Sequence, residues 1–174
     1  MKKIFIPLAI ISFALIGCSQ ESESQTSEPT TEYGSSSKSG STEATEWEPT
    51  IYEKVNNLDG VTMIAKEGTV SSTGLTVIFE NNSNKHINYG ESFLLEKKIN
   101  GKWYEIPDIL GGNYGFNDVG YGLEPFEVTE LYFDWDWLYG NLDNGEYRIV
   151  IDINDFRDAG DFDKYHLTAE FIVD

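Results

Sequence analysis

Carboxylates are the side chains with the most chemistry to offer in this chain. Thirty Asp and Glu stand against twelve Lys and Arg in 174 residues, a net charge of −18. They are densest at Asp152, Asp155, Asp158, Asp161 and Asp163, a run in which Gly160 could make a sharp turn and oxygen ligands of the kind calcium takes are plentiful. An EF-hand loop begun at Asp152 would need a ligand at its fifth position and glycine at its sixth, where Phe156 and Arg157 stand. The run is therefore expected to be a solvated connection between the last two strands, tucked to the core by Phe156 and Phe162, with no metal. Two carboxyls at a suitable separation can also hydrolyse a glycosidic bond, but a surface this acidic supplies such pairs by chance. His86, in the turn after Asn84, and His166, on the polar face of the last strand, are the two histidines, and neither belongs to an HExxH pattern. A Gly-x-Ser-x-Gly elbow is missing from the sequence. No catalytic residue and no cofactor are expected.

The single cysteine has a different chemistry. Met1-Lys2-Lys3 is a short positive start, Ile4 to Leu15 an apolar run too short to span a bilayer, and Ile16-Gly17 leads to Cys18. That is the layout of a secretory signal. Leu15-Ile16-Gly17-Cys18 further resembles the lipobox of bacterial lipoproteins. The resemblance implies a diacylglyceryl thioether on Cys18, cleavage just before it (signal peptide 1–17) and acylation of the new amine. More than one acyl chain on a residue is enough for stable anchoring without a transmembrane helix. The expected location is the extracellular face of the cell membrane. With no further cysteine, the exported part has no internal disulfide and its apolar core must suffice.

Residues 18–46 are read as the lipidated cysteine and a tether. From Ser19 to Glu46 the chain is rich in Ser, Thr, Glu and Gly, with Tyr33 as its one aromatic, and cannot bury enough surface to order itself. About 28 residues of flexible coil reach roughly 30 Å end to end. Loss of Lys2 and Lys3 from the 12 basic residues leaves 10 against 30 acidic, a net −20. Such a chain has no basic stripe for nucleic acid and is repelled by anionic headgroups, which holds the domain off the bilayer.

From Trp47 to Asp174 apolar-polar alternation takes over. Leu75, Val77 and Phe79 share one face of a strand that stops at Asn81-Asn82-Ser83-Asn84. Residues 91–107 read as two strands joined by Asn100-Gly101, a pair that tolerates the positive φ of a two-residue hairpin loop; Lys98 then lies opposite Trp103 and Leu95 opposite Ile106. Further strands are expected at about 61–66, 127–133, 146–153 and 165–173. Seven strands with almost no helical periodicity predict an all-β, antiparallel β-sandwich, with a barrel as the competing closure.

The stretch Asp143-Asn144-Gly145-Glu146-Tyr147 resembles the tyrosine corner of immunoglobulin-like domains, with Tyr147 entering strand F. On that resemblance Ile149 takes the core position that holds a cysteine in antibody domains and Val77 is its strand-B partner. Tyr89-Gly90, residues 95–107, 134–140, 142–150 and 155–171 together resemble the bacterial immunoglobulin-like domain of secreted and lipid-anchored proteins of Gram-positive bacteria, over roughly residues 58–174. These are structural motifs and imply no reaction. Phe126 departs from the pattern, standing where that family has a small turn residue.

Aromatic residues in glycine-rich loops remain. Tyr114, Phe116, Tyr121, Trp135, Trp137 and Tyr139 lie in or beside segments that carry Gly111, Gly112, Gly115, Gly120 and Gly122, and exposed rings on loops stack sugars or anchor protein partners. Trp135 and Leu138, three residues apart on one helical turn, are expected to plug the end of the sandwich. Trp137, Tyr114 and Tyr121 are the candidates for partner contact, with a cell-surface protein or glycan as ligand. The function predicted is that of a lipid-anchored, non-catalytic binding or structural module. The alternatives are a carbohydrate-active or hydrolytic domain with paired carboxylates, and a sensor or inhibitor module for a membrane partner.

Overall fold

A computed structural model describes residues 47–174; Cys18, the signal peptide and the tether fall outside the described residues. Alternation along the chain sorts its strands into two antiparallel sheets. The smaller contains β1 (Val61–Ala65), β2 (Gly74–Asn81) and β7 (Val128–Asp134) in the order β1-β2-β7. Leu75, Val77 and Phe79 point inward from β2 and are fully buried, as their spacing predicts.

The larger sheet is built on a long hairpin, β8 (Gly145–Asp158) and β9 (Asp161–Val173). On its other side β8 pairs first with β4 (Leu94–Ile99) and then with β3 (His86–Gly90), so β3 and β4 are one strand position broken at residues 91–93. Outside them lie β5 (Lys102–Glu105), paired with β4, and β6 (Gly120–Leu123), paired with β3. The β4–β5 turn has Asn100 at φ 52° and Gly101 at φ 76°, and Lys98 faces Trp103, the register that the Asn-Gly loop dictates.

Between the sheets lies a core in which Ile149, Val77, Ile151, Ile153 and Leu167 are all buried. Trp135 and Leu138 are fully buried at its end, on and beside the single turn α1 (Asp136–Tyr139). The Trp135 ring stacks on Phe171 at 5.4 Å, Phe171 stacks on Tyr147 at 5.8 Å, and the Trp135 indole N–H donates to the Ser72 carbonyl. Tyr147 donates its hydroxyl to the Asp143 carbonyl at 2.7 Å, closing the corner at the entry to β8. Ile149 and Val77 are both fully buried.

Several expectations need correction. Two strands, β3 and β6, come in addition to the seven read from periodicity, and His86 opens β3 instead of lying in a turn, where it meets Glu124. The acidic run is the far end of the β8–β9 hairpin and not a loop. Phe156 and Phe162 face each other across that hairpin and remain 36% and 46% exposed, so they do not tuck it to the core. Order there comes from the strand ladder and from Arg157, which donates to Asp161 and Asp163, while Asp155 is buried against Lys85. Among the described residues, no group of three or more His, Cys, Asp or Glu is placed to hold a metal ion. Phe126 takes a left-handed conformation, φ 64°, in a turn closed by Glu127 N–H donating to the Glu124 carbonyl. That is the second central position of a type II-like turn, which favours glycine.

Residues 47–57 form a strap across the outer face of the larger sheet. Thr50 N–H donates to the Trp103 carbonyl and Glu105 N–H to the Glu48 carbonyl at the β5 edge. At the β9 edge Asn56 N–H donates to the His166 carbonyl, and the Asn56 side chain exchanges hydrogen bonds with Thr168. Outward-facing Val150, Thr168, Glu96 and Arg148 are buried beneath it. Arg148 is paired there with Glu96, donates to Thr50 Oγ1 and lies over the Trp103 ring at 4.7 Å.

Candidate functional site

The break at residues 91–93 makes the site. Where β3 gives way to β4 the alternation is interrupted, Phe93 turns into the core and Glu91 is left at the seam between the two sheets. Across the seam runs β7, an edge strand of the smaller sheet. The long connection 106–119, from β5 to β6, closes over the gap. It is tied by Asp108 Oδ1, which accepts from the N–H groups of Leu110 and Gly112, by Ile109 N–H donating to the Leu138 carbonyl, and by Asn117 donating to Glu91.

The result is a cleft of about 290 Å³. Phe93 and Phe133, 5.3 Å apart edge to face, form its floor, and Phe116 packs on Phe93 at 5.3 Å. Trp137, from α1, makes the wall at 5.7 Å from Phe116; its indole N–H donates to the Asp134 carbonyl, which fixes the ring. Tyr132 stands at the rim with its ring passing over Gly74, which is itself paired with Asp134. A Cβ at Gly74 would come within 2.5 Å of the Tyr132 hydroxyl and 2.6 Å of the Phe133 carbonyl, so glycine is what lets the tyrosine cross there.

Two carboxylates line the same cleft, Glu91 and Asp134. Glu91 accepts from the Tyr121 hydroxyl at 2.6 Å and from the Asn117 amide at 3.1 Å. These donors, Tyr121 first, hold its carboxyl below the usual range, and Glu91 in turn raises the Tyr121 phenol. Asp134 accepts from the backbone N–H of Asp136 at 3.0 Å. An inverting or retaining glycosidase needs one carboxyl kept protonated near neutral pH. The Glu91 surroundings do the reverse, so Glu91 could serve such a pair only as its ionised member; it is an acceptor and a negative charge.

Of the three residues expected to contact a partner, Trp137 and Tyr114 come together, their rings 6.1 Å apart and each about 40% exposed. Tyr121 does not join them. It packs on Tyr89 at 5.6 Å and reaches the cleft only through its hydrogen bond to Glu91. The residues that sequence reasoning missed are Glu91, Phe93, Tyr132, Phe133 and Asp134. The one local signal was Glu91-Ser92 between Gly90 and Phe93, a polar pair interrupting two runs that otherwise read as strand.

Two sheets in the order β1-β2-β7 and β5-β4-β8, joined over a tyrosine corner with β9 beyond β8, define an immunoglobulin-type sandwich. The chain belongs to the bacterial Ig-like domain family, whose match spans residues 57–172. No curated protein matches it. Among solved structures, an ASH/PapD-like domain of human CEP192 (its PapD-like domain 7) is similar at a TM-score of 0.29 and 9% identity, covering 72% of this chain and 97% of that one.

Proposed function

We propose that this protein is a lipid-anchored lipoprotein on the extracellular face of the membrane, held through Cys18, that displays its Ig-like domain as a non-catalytic binding module. The seam cleft is its binding surface. The observation that carries this reading is a cleft whose rings are held by the protein's own packing and by the Trp137 indole bond, so little ordering entropy opposes binding. The lipobox-like Leu15-Ile16-Gly17-Cys18 supports the anchor, and the acidic Ser19–Glu46 segment supports a tether. A surface protein or glycan is the partner class in view.

One observation favours the hydrolytic alternative: Glu91 and Asp134 line a single cleft beside aromatic rings. The donors on Glu91 suit the ionised member of such a pair and do not supply its acid.

The test uses the lipid-free mature chain, residues 18–174 with Cys18→Ala, incubated with bacterial surface fragments. Wild-type sedimentation with the fragments, reduced by Trp137→Ala and Tyr114→Ala, and no release of reducing sugar is the expected result. Equal sedimentation of both variants removes the cleft from the function, and sugar release restores the hydrolase. For the anchor, Cys18→Ala in the full chain is expected to leave the membrane fraction or remain unprocessed; unchanged fractionation and mobility would refute it.

A further inference from the structure

We propose that the seam cleft binds an alkylammonium group, quaternary or primary, seated against Trp137, Phe116 and Tyr132 and paired with Glu91 and Asp134. The inference rests on the reading of the seam as a binding cleft and names the chemistry of what it takes.

What the lining offers a ligand is lopsided. Its rings present π faces and edges, and its two carboxylates present oxygens, while Lys and Arg are absent among the described residues that line it. Of the side-chain N–H groups of the lining, the Trp137 indole is engaged on the Asp134 carbonyl and one Asn117 amide hydrogen on Glu91. An anion would meet two carboxylates in a protein whose net charge is −18. A neutral apolar group would strip water from those carboxylates and give nothing back. An alkylammonium satisfies both halves, since its methyl or methylene surface packs on the rings, its charge is drawn to the ring quadrupoles, and the same charge neutralises the carboxylates.

Both carboxylates are oriented by the protein's own donors. Glu91 is held by Tyr121 and Asn117, and Asp134 by the Asp136 N–H. This gives Tyr121 a place in the site different from the one its exposure suggested. It is a positioning residue, acting through Glu91. A volume of about 290 Å³ suits one small cationic head and not an extended chain, being at the low end for ligand sites.

The experiment follows the Trp137 indole N–H by nitrogen–proton NMR in the lipid-free mature chain, the signal being assigned by its loss in Trp137→Phe. Four probes are added at millimolar concentration and matched ionic strength: choline, Nα-acetyl-lysinamide, the neutral choline analogue 3,3-dimethylbutanol, and sodium chloride as the blank. A saturable shift with choline or the lysine amide, weakened on the order of fivefold by Glu91→Gln and by Asp134→Asn with the rest of the spectrum unchanged, is the expected result. Which of the two cations binds more tightly tells a methylated head from a lysine-like one. Tyr121→Phe is expected to weaken binding less than Glu91→Gln does. An equal response to 3,3-dimethylbutanol overturns the proposal while leaving the binding cleft intact. No shift with either cation overturns it as well, and sedimentation with surface fragments then decides separately whether the cleft binds anything.

Discussion

Replacing Arg148 by Met tests whether the strap truly excludes water from the sheet beneath it. The Glu96 and Arg148 side chains are 1% and 5% exposed, and Glu96 Oε1 has no hydrogen-bond partner among the described residues. With the guanidinium gone, a carboxylate is left uncompensated in that site, which costs roughly 3–5 kcal/mol. Glu96→Leu is expected to cost less, because Arg148 keeps Thr50 Oγ1 and the Trp103 ring. The double variant Glu96→Leu/Arg148→Met is expected within about 1 kcal/mol of wild type: it removes two desolvated charges together, and the orphaned oxygen shows that the pair does not recover its full desolvation cost. Urea melts of residues 18–174 with Cys18→Ala, followed by far-ultraviolet circular dichroism, give the four corners of the cycle. A cost below about 1 kcal/mol for Arg148→Met would mean that solvent reaches Glu96, and the description of the strap as a cover would be wrong.

Three further outcomes are expected in the same melts. Phe126→Gly should stabilise by about 1 kcal/mol, since the side chain is 74% exposed and glycine relieves its left-handed backbone; a loss of stability would refute strain at that turn. Tyr147→Phe should cost about 1 kcal/mol through the corner hydrogen bond to Asp143, and an unchanged midpoint would make the corner incidental. Glu105 has its carboxyl raised by burial first and then by Glu96, Glu48 and Asp108. The folded state therefore holds the proton more tightly than the unfolded one, and stability is lost as pH rises from the ordinary value of 4.5 through the raised one. Glu105→Gln should increase the urea midpoint at neutral pH, with a gain that shrinks on acidification; a gain that grows instead would reverse the assignment.

Period-two alternation exposed the strands whose two faces differ sharply. β2 is of this kind; β8 and β9 showed through inward-facing Tyr147, Ile149 and Ile151 and Leu167, Ala169 and Phe171, although the strap buries the outer face of their middles as well, and the β4–β5 hairpin showed through its Asn100-Gly101 turn, which also dictates its register. β6 was invisible because Gly120-Tyr121-Gly122 carries little strand propensity, and its pairing with β3 is imposed by the sheet. Nothing periodic marks the strap, since its hydrogen bonds go to strands some 50 and 110 residues distant along the chain. In the sequence Glu96 and Arg148 therefore look like ordinary solvated residues. The site was half legible for a related reason. Exposed rings beside glycines drew attention to Trp137 and Tyr114, but bringing them to Glu91 and Asp134 takes a strand break and a long crossing loop, which are facts of the assembled sheets.

The strap also lies on a load path. Any pull arriving from the N-terminal side of Trp47 first meets the Trp47 ring, packed against the core and beneath Lys97, and then the hydrogen bonds of Glu48 and Thr50 with β5. Those bonds can peel in turn, and what peeling uncovers is a charged pair that water welcomes, so the opening is shallow in energy and able to close again. Further along, Asn56 is gripped by its own N–H to His166 and by the three side-chain bonds with Thr168, a cluster that must fail together before tension reaches β1. Under tension, residues 47–56 would therefore give way in steps, with Asn56 the last hold before the sandwich and its cleft are loaded.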